Sequence, residues 1–376
     1  MKNQSLFKSE CQDLLDCIDA FKFIHFHFYN KEKFHSFENE MKNKKNKKKE
    51  INIDVKARLD EISINKIRPR KESIIKKVIL IKEACSLCGL IENFNNKLYF
   101  FYGSIKSLVI ERMNGNKKEI KIDEGEIVYL TKKIIQNTLF IVLSIARPDK
   151  VLVYSLSSGE KNFKFYAKIK PDYPDNQCFV YSNLVEYKKE KLIVMNQFSS
   201  FSPLFIYNLK SGKKEVIDFH KKNLKNYYHS IHNDEIVICG NANYLCAVSL
   251  STKKIIKIFE DGEGINYFFA LVFKDKLYTT SNRGLRVYDW NTLKRIKTLL
   301  DERSNEWSIL LFNNKYLLTN THNSPCINVY NIEEEIKHEK IYLEGRKIEW
   351  IDQPKNSTKL AVYDQSNQAT TFVDLR

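Results

Sequence analysis

The chain has 376 residues, of which 43% are hydrophobic, 12% aromatic and 29% charged, and its formal charge is +16. That composition excludes wholesale disorder, a collagen-like chain and a small disulfide scaffold, and no apolar run approaches the ~20 residues a membrane helix needs. Eight cysteines, mostly single within apolar segments, read as reduced core thiols.

From the N-terminus, MKNQSLFKSECQDLLDC meets three acids before any apolar stretch and has no hydrophobic signal core, so a cytoplasmic or nuclear protein is expected. Leu6, Phe7, Cys11, Leu14, Leu15 and Ile18 follow helical spacing, and FKFIHFHFY then alternates Phe with His. Residues 1–73 are therefore expected to form a short, mainly helical extension with a basic linker. Six lysines lie between Lys42 and Lys49, followed by KIRPRK, and residues 1–90 hold 20 Lys and Arg against 13 Asp and Glu. Such a tract is either a solvated linker or a binder of polyanions, since clustered cations release counterions from nucleic acid. No aromatic residues interleave its lysines to stack on bases, which favours the linker.

After residue 73 the sequence repeats. A short apolar strand following a polar turn occurs at Leu98, Leu139, Leu192, Ile236, Leu277, Tyr316 and Leu360, at spacings of 41, 53, 44, 41, 39 and 44. A second series, centred on Glu111, Ser155, Asn208, Ser249, Asp289, Asn331 and Asp374, follows each copy by about a dozen residues. Seven copies with a period near 40–45 and several short strands each predict an all-β, seven-bladed propeller of four-stranded antiparallel blades over residues 74–376. The Asn-Asn, Asn-Asp and Lys-Asp pairs before the first series suit tight hairpins between first and second strands. The apolar run before each pair is expected to be the innermost strand, buried on both faces. The seventh copy ends directly after its third strand, and the lone segment Ile74–Lys82 is expected to fill the vacant outer edge and close the ring.

At LYTTSNRGLRVYDWNTLKRIKTLL the chain resembles the WD-repeat family, with a Val-Tyr-Asp strand end, a Thr-x-Lys turn and an outer strand. The resemblance extends over about residues 75–376 and rests on the periodicity. No blade has the family's Gly-His pair, and only Asp289-Trp290 approaches its Trp-Asp end. A kelch-like propeller is the alternative, although no Gly-Gly pair is present.

Chemistry-bearing motifs are sparse. Cys85-x-x-Cys88 lacks a second pair, and Cys11, Cys17, His25, His27 and His35 match no finger spacing, so neither metal nor cofactor is expected. Asp261-Gly-Glu-Gly reads as a turn, and Asp172 and Asp175 fall in the insertion that lengthens one period to 53. An aromatic opens most innermost strands: Tyr129, Tyr181, Tyr227, Tyr267, Trp307 and Trp350. These are expected at the channel mouth on the face where the loops joining successive blades gather, as docking anchors or as wedges between blades. Tyr244, Arg283 and His322, with Arg147, Asn243 and Asn323, are expected to add a polar rim on the same face. The reading is a non-catalytic platform for protein partners. A nucleic-acid-associated propeller using Lys42–Lys49 is the alternative, and a propeller enzyme the third. Neither a membrane nor a small-molecule substrate is expected.

Overall fold

The computed structural model describes the residues from Ile75 to Leu375 apart from 82–88, 105, 113–115, 123–124, 147–148, 171–179, 198–202, 218, 220–227, 241–243, 261–264, 300–305, 322–323, 344–346, 355–356 and 365–368. The expected N-terminal extension with its lysine tract lies outside the described residues, as do Cys85, Cys88, Asp172, Asp175 and the Asp261 turn.

Among the described residues, 28 strands, numbered β1 to β28 in chain order, form seven four-stranded antiparallel sheets. Blade one is β2 (Gly89–Phe94), β3 (Lys97–Ser104), β4 (Ser107–Arg112) and β5 (Lys117–Lys121), and blade two is β6 (Glu126–Ile135), β7 (Thr138–Ala146), β8 (Lys150–Ser157) and β9 (Lys164–Ile169). Blade three is β10 (Val180–Tyr187), β11 (Glu190–Gln197), β12 (Leu204–Asn208) and β13 (Lys214–Ile217), and blade four is β14 (Tyr228–His232), β15 (Ile236–Gly240), β16 (Tyr244–Ser249) and β17 (Lys254–Glu260). Blade five is β18 (Tyr267–Phe273), β19 (Lys276–Ser281), β20 (Gly284–Asp289) and β21 (Arg295–Thr298), and blade six is β22 (Glu306–Phe312), β23 (Tyr316–Thr321), β24 (Cys326–Asn331) and β25 (Ile336–Tyr342). Blade seven takes β26 (Ile348–Asp352), β27 (Lys359–Asp364) and β28 (Ala369–Leu375) from the end of the chain and β1 (Ile75–Ile81) from before blade one. β1 runs antiparallel to β28, from Ile75 opposite Leu375 to Ile81 opposite Thr370. The innermost strands β2, β6, β10, β14, β18, β22 and β26 neighbour one another in cyclic order, so the sheets form a closed seven-bladed propeller.

Local sequence dictates the turns. Between first and second strands, two consecutive residues hold positive φ in six blades: Asn95–Asn96, Gln136–Asn137, Lys188–Lys189, Asn233–Asp234, Lys274–Asp275 and Asn313–Asn314. In blades one, two, three and five this pair is the whole loop, with Phe94 opposite Lys97 and Phe273 opposite Lys276, the signature of a type I′ hairpin whose twist matches the strands. Between third and fourth strands, the side-chain oxygen of Asn208 accepts from the amides of Lys210 and Ser211, and that of Asn331 from Glu333 and Glu334. Ser249 and Asp289 do the same two and three residues on. The residue four past each anchor, Gly212, Lys253, Leu293 or Glu335, is left-handed, as is Gly159, four past Ser155.

The core is divided among seven apolar clusters, and each fills the space between two successive blades. Alternation supplies them: in β7, Leu139, Ile141 and Leu143 join the cluster with blade one, whereas Phe140 and Val142 join that with blade three. The second and third strands are the most continuously buried, as in β7 and β8, whereas β18 and β22 alternate between buried and half-buried positions. The expectation of innermost strands buried on both faces holds for β2, which is buried at five of six positions, and is corrected for β14, β18 and β22, whose inner edge faces the central channel.

Candidate functional site

The channel is where side chains from all seven blades converge. Several innermost strands are bulged near their start, with register shifts between Ile127 and Tyr129, Tyr267 and Ala270, Glu306 and Ile309, and Ile348 and Trp350. A bulge re-aims side chains, and here the re-aimed residues are aromatic. Tyr129 meets Tyr181 with ring centroids 4.8 Å apart and Trp350 at 6.1 Å; Tyr181 meets Tyr228 at 5.4 Å. Tyr228 meets Trp307 at 5.4 Å, Trp307 meets Phe268 at 4.5 Å, and Phe269 meets Trp350 at 4.9 Å. These seven rings from six blades form a continuous edge-on plug across the channel, the arrangement that ring quadrupoles favour.

The residues expected from sequence to form a docking face fall in different places. Tyr129, Tyr181, Trp307 and Trp350 are half-buried members of the plug. Tyr267 is not: it is 1% exposed, its hydroxyl bonds that of Tyr288 at 2.8 Å, and it packs in the apolar cluster between blades four and five. Its neighbours Phe268 and Phe269 take the channel position. Tyr227 and His322 lie outside the described residues, as do Arg147, Asn243 and Asn323, and the plug residue of blade four is Tyr228. Tyr244 is half-buried at the start of β16 and Arg283 is exposed in the turn between β19 and β20, both at the end of the channel where the innermost strands begin.

Below the plug, polar cross-links join blades distant in sequence. Lys132 donates to the Asp352 carboxylate at 2.7 Å, to the Gln353 carbonyl at 3.1 Å and to the Ile91 carbonyl, and lies 3.6 Å from Glu92. The Ile91 amide donates to the same Asp352 oxygen at 2.7 Å. Blades seven, one and two are thus tied at one point. Burial raises the Glu92 carboxyl above its ordinary pKa, an effect that the neighbouring Lys132 partly offsets. Lys133 of blade two bridges to both oxygens of Asp234 in blade four, at 2.6 and 2.7 Å. His229 is 3% exposed, with Nδ1 2.5 Å from Asn196 Oδ1 and Nε2 3.0 Å from Asn183 Nδ2. The Asn183 amide can only donate to Nε2, which fixes the neutral ring with its proton on Nδ1. Burial lowers the His229 pKa to about 4. None of these groups was legible as a site, because their partners lie up to 261 residues away.

Between plug and cross-links lies a cavity of about 390 Å³, lined by Tyr129, Phe269 and Trp350 above, by Asn183, His229 and Ser308 along its wall, and by Lys133 and Asp234 at its far end. Another buried acid, Glu306, is committed to the hydroxyls of Thr319 and Thr321 and the amide of Asn328 within blade six. Among the described residues no three His, Cys, Asp or Glu side chains are grouped to hold a metal ion.

These features define a seven-bladed β-propeller, its blades joined through apolar interfaces and its channel crossed by aromatic contacts. Among solved structures the chain is similar to the β-propeller domain of Myceliophteria thermophila Cps50 (Swd1), with a TM-score of 0.62 and 12% identity over 80% of this chain and 99% of that one. It is likewise similar to a chain of the Mitotic Checkpoint Complex, with a TM-score of 0.63 and 10% identity over 82% and 94%. No family model and no curated protein matches the sequence. At such identities the likeness shows the fold.

Proposed function

We propose that this propeller is a non-catalytic scaffold of an intracellular assembly and that protein partners dock on the face where the innermost strands begin. The observation that carries the reading is how its polar groups are used. Lys132 is paired with Asp352 across blades two and seven, and the buried Glu306 is engaged within its own blade, so these groups serve the cohesion of the fold. One of the similar structures is a chain of the Mitotic Checkpoint Complex, which fits a propeller working within an assembly. On the proposed face, Arg283 lies exposed in the turn between β19 and β20 and Tyr244 opens β16, and both offer contact area on rigid strands.

The test is affinity capture of partners by the full chain and by two variants. Tyr244→Ala combined with Arg283→Ala is expected to lose a partner by about 2 kcal/mol or more with little change in thermal transition. Trp307→Ala, which empties a place in the plug, is expected to cost roughly 3 kcal/mol of stability instead. Unchanged capture by the folded Tyr244/Arg283 variant would move the docking site elsewhere.

A second reading has one observation in its favour. Most outermost strands carry two or more exposed or half-exposed cations, among them Lys117, Lys118 and Lys121 of β5 and Arg295 and Lys297 of β21. Nucleic acid held at this rim or at Lys42–Lys49 would bind with a steep dependence on salt, whereas a protein partner at the ring-capped face would not.

A further inference from the structure

The lower channel cavity has the size and the mixed aromatic and charged lining that suit a small molecule, and it lies apart from the docking face named above. Its volume of about 390 Å³ falls within the range of ligand pockets. From Lys133 at its end to Tyr129 at its ceiling runs about 13 Å of extended strand, enough for a molecule of amino-acid size. The ceiling is aromatic, with edges of Tyr129, Phe269 and Trp350 bordering the space. The wall is polar, with Asn183, His229 and Ser308 along it.

Charge narrows the class of ligand. Lys132 is saturated by three acceptors and takes no further partner without loss. Lys133 and Asp234, each about one-third exposed, are bonded to each other in a two-pronged bridge spanning blades two and four. A ligand with one charge would break this bridge and strand its other half. A zwitterion replaces both halves, its carboxylate meeting Lys133 and its ammonium meeting Asp234.

We propose that this end of the channel binds a free α-amino acid with an aromatic side chain, its charged groups exchanged into the Lys133–Asp234 bridge and its ring lodged beneath the plug. Phenylalanine and tryptophan are the probes. Isothermal titration calorimetry on the full chain should give saturable binding with a Kd below about 1 mM, as expected for a ligand of this size. Phenethylamine, 3-phenylpropionate and N-acetyl-phenylalanine amide, which lack one or both charges, should bind at least ~10-fold more weakly, the loss expected of a hydrogen-bonded charge pair left half-made. Lys133→Met and Asp234→Asn should each weaken phenylalanine by ~10-fold or more. If a variant fails to fold, the analogue series on the unaltered chain decides alone. No saturable heat up to about 10 mM of either amino acid, a level far weaker than such a pocket should allow, overturns the proposal. Equal binding of the blocked amide overturns it as well.

Discussion

Lys188 and Lys189 hold φ of 49° and 65°, a left-handed pair on residues whose Cβ resists it. Both are exposed, and the equivalent turn of blade one uses Asn95–Asn96. Replacing the pair with Asn-Gly should raise stability by about 1 kcal/mol, because the turn conformation is kept while its strain is removed. A denaturant midpoint unchanged or lowered in that double variant would contradict the type I′ assignment. His229 gives a second test at this scale. Its folded pKa is depressed to about 4 from an ordinary 6.5, so between those values the unfolded chain binds the extra proton. Its contribution is therefore fully present above pH 6.5 and is lost as pH falls toward 4. The full shift corresponds to on the order of 3 kcal/mol. Stability measured from pH 7 to 4 should decline with a slope that His229→Gln reduces; a slope identical in the two proteins would show that the ring is not buried neutral.

Asn331 is the clearest example of an element held by one side chain. It is 2% exposed and accepts two backbone amides at the turn joining β24 to β25. Asn331→Ala leaves both donors unsatisfied in a partly buried place and should cost about 1–2 kcal/mol, read from the thermal or denaturant transition. Asn331→Asp, which keeps the acceptor, should recover most of it. These anchors explain why the blades were legible in the sequence: Asn208, Ser249, Asp289 and Asn331 recur because each closes the same turn, and the paired Asn, Asp and Lys recur because each opens the same hairpin. The channel was far less legible. Alternation assigns a side chain to a face only while the register runs unbroken, and the bulges in β6, β18, β22 and β26 break it where the rings lie. That is why Tyr267 is turned into a blade interface and Phe268 stands in the channel. The innermost strands read as fully buried for a related reason: an apolar run does not reveal which of its edges meets a cavity.

Across the whole propeller, closure rests on blade seven, which joins both ends of the described chain: β1 covers β28, and Lys132, Asp352 and the Ile91 amide add a polar tie to blades one and two. Deleting the chain through residue 84 should therefore expose the edge of β28 and yield a destabilised, aggregating protein, whereas deletion of residues 1–50 should be tolerated better. Size-exclusion chromatography and thermal unfolding of the two truncations compare them directly. A monomeric, equally stable protein lacking β1 would show that the strand is dispensable for closure.

The contacts among Tyr129, Tyr181, Tyr228, Phe268, Phe269, Trp307 and Trp350 stand between the face where the innermost strands begin and the cavity that Lys133 and Asp234 line. A partner seated on that face and a solute held in that cavity do not collide, and the direct route for a message between them runs through an aromatic partition whose rings belong to six different blades.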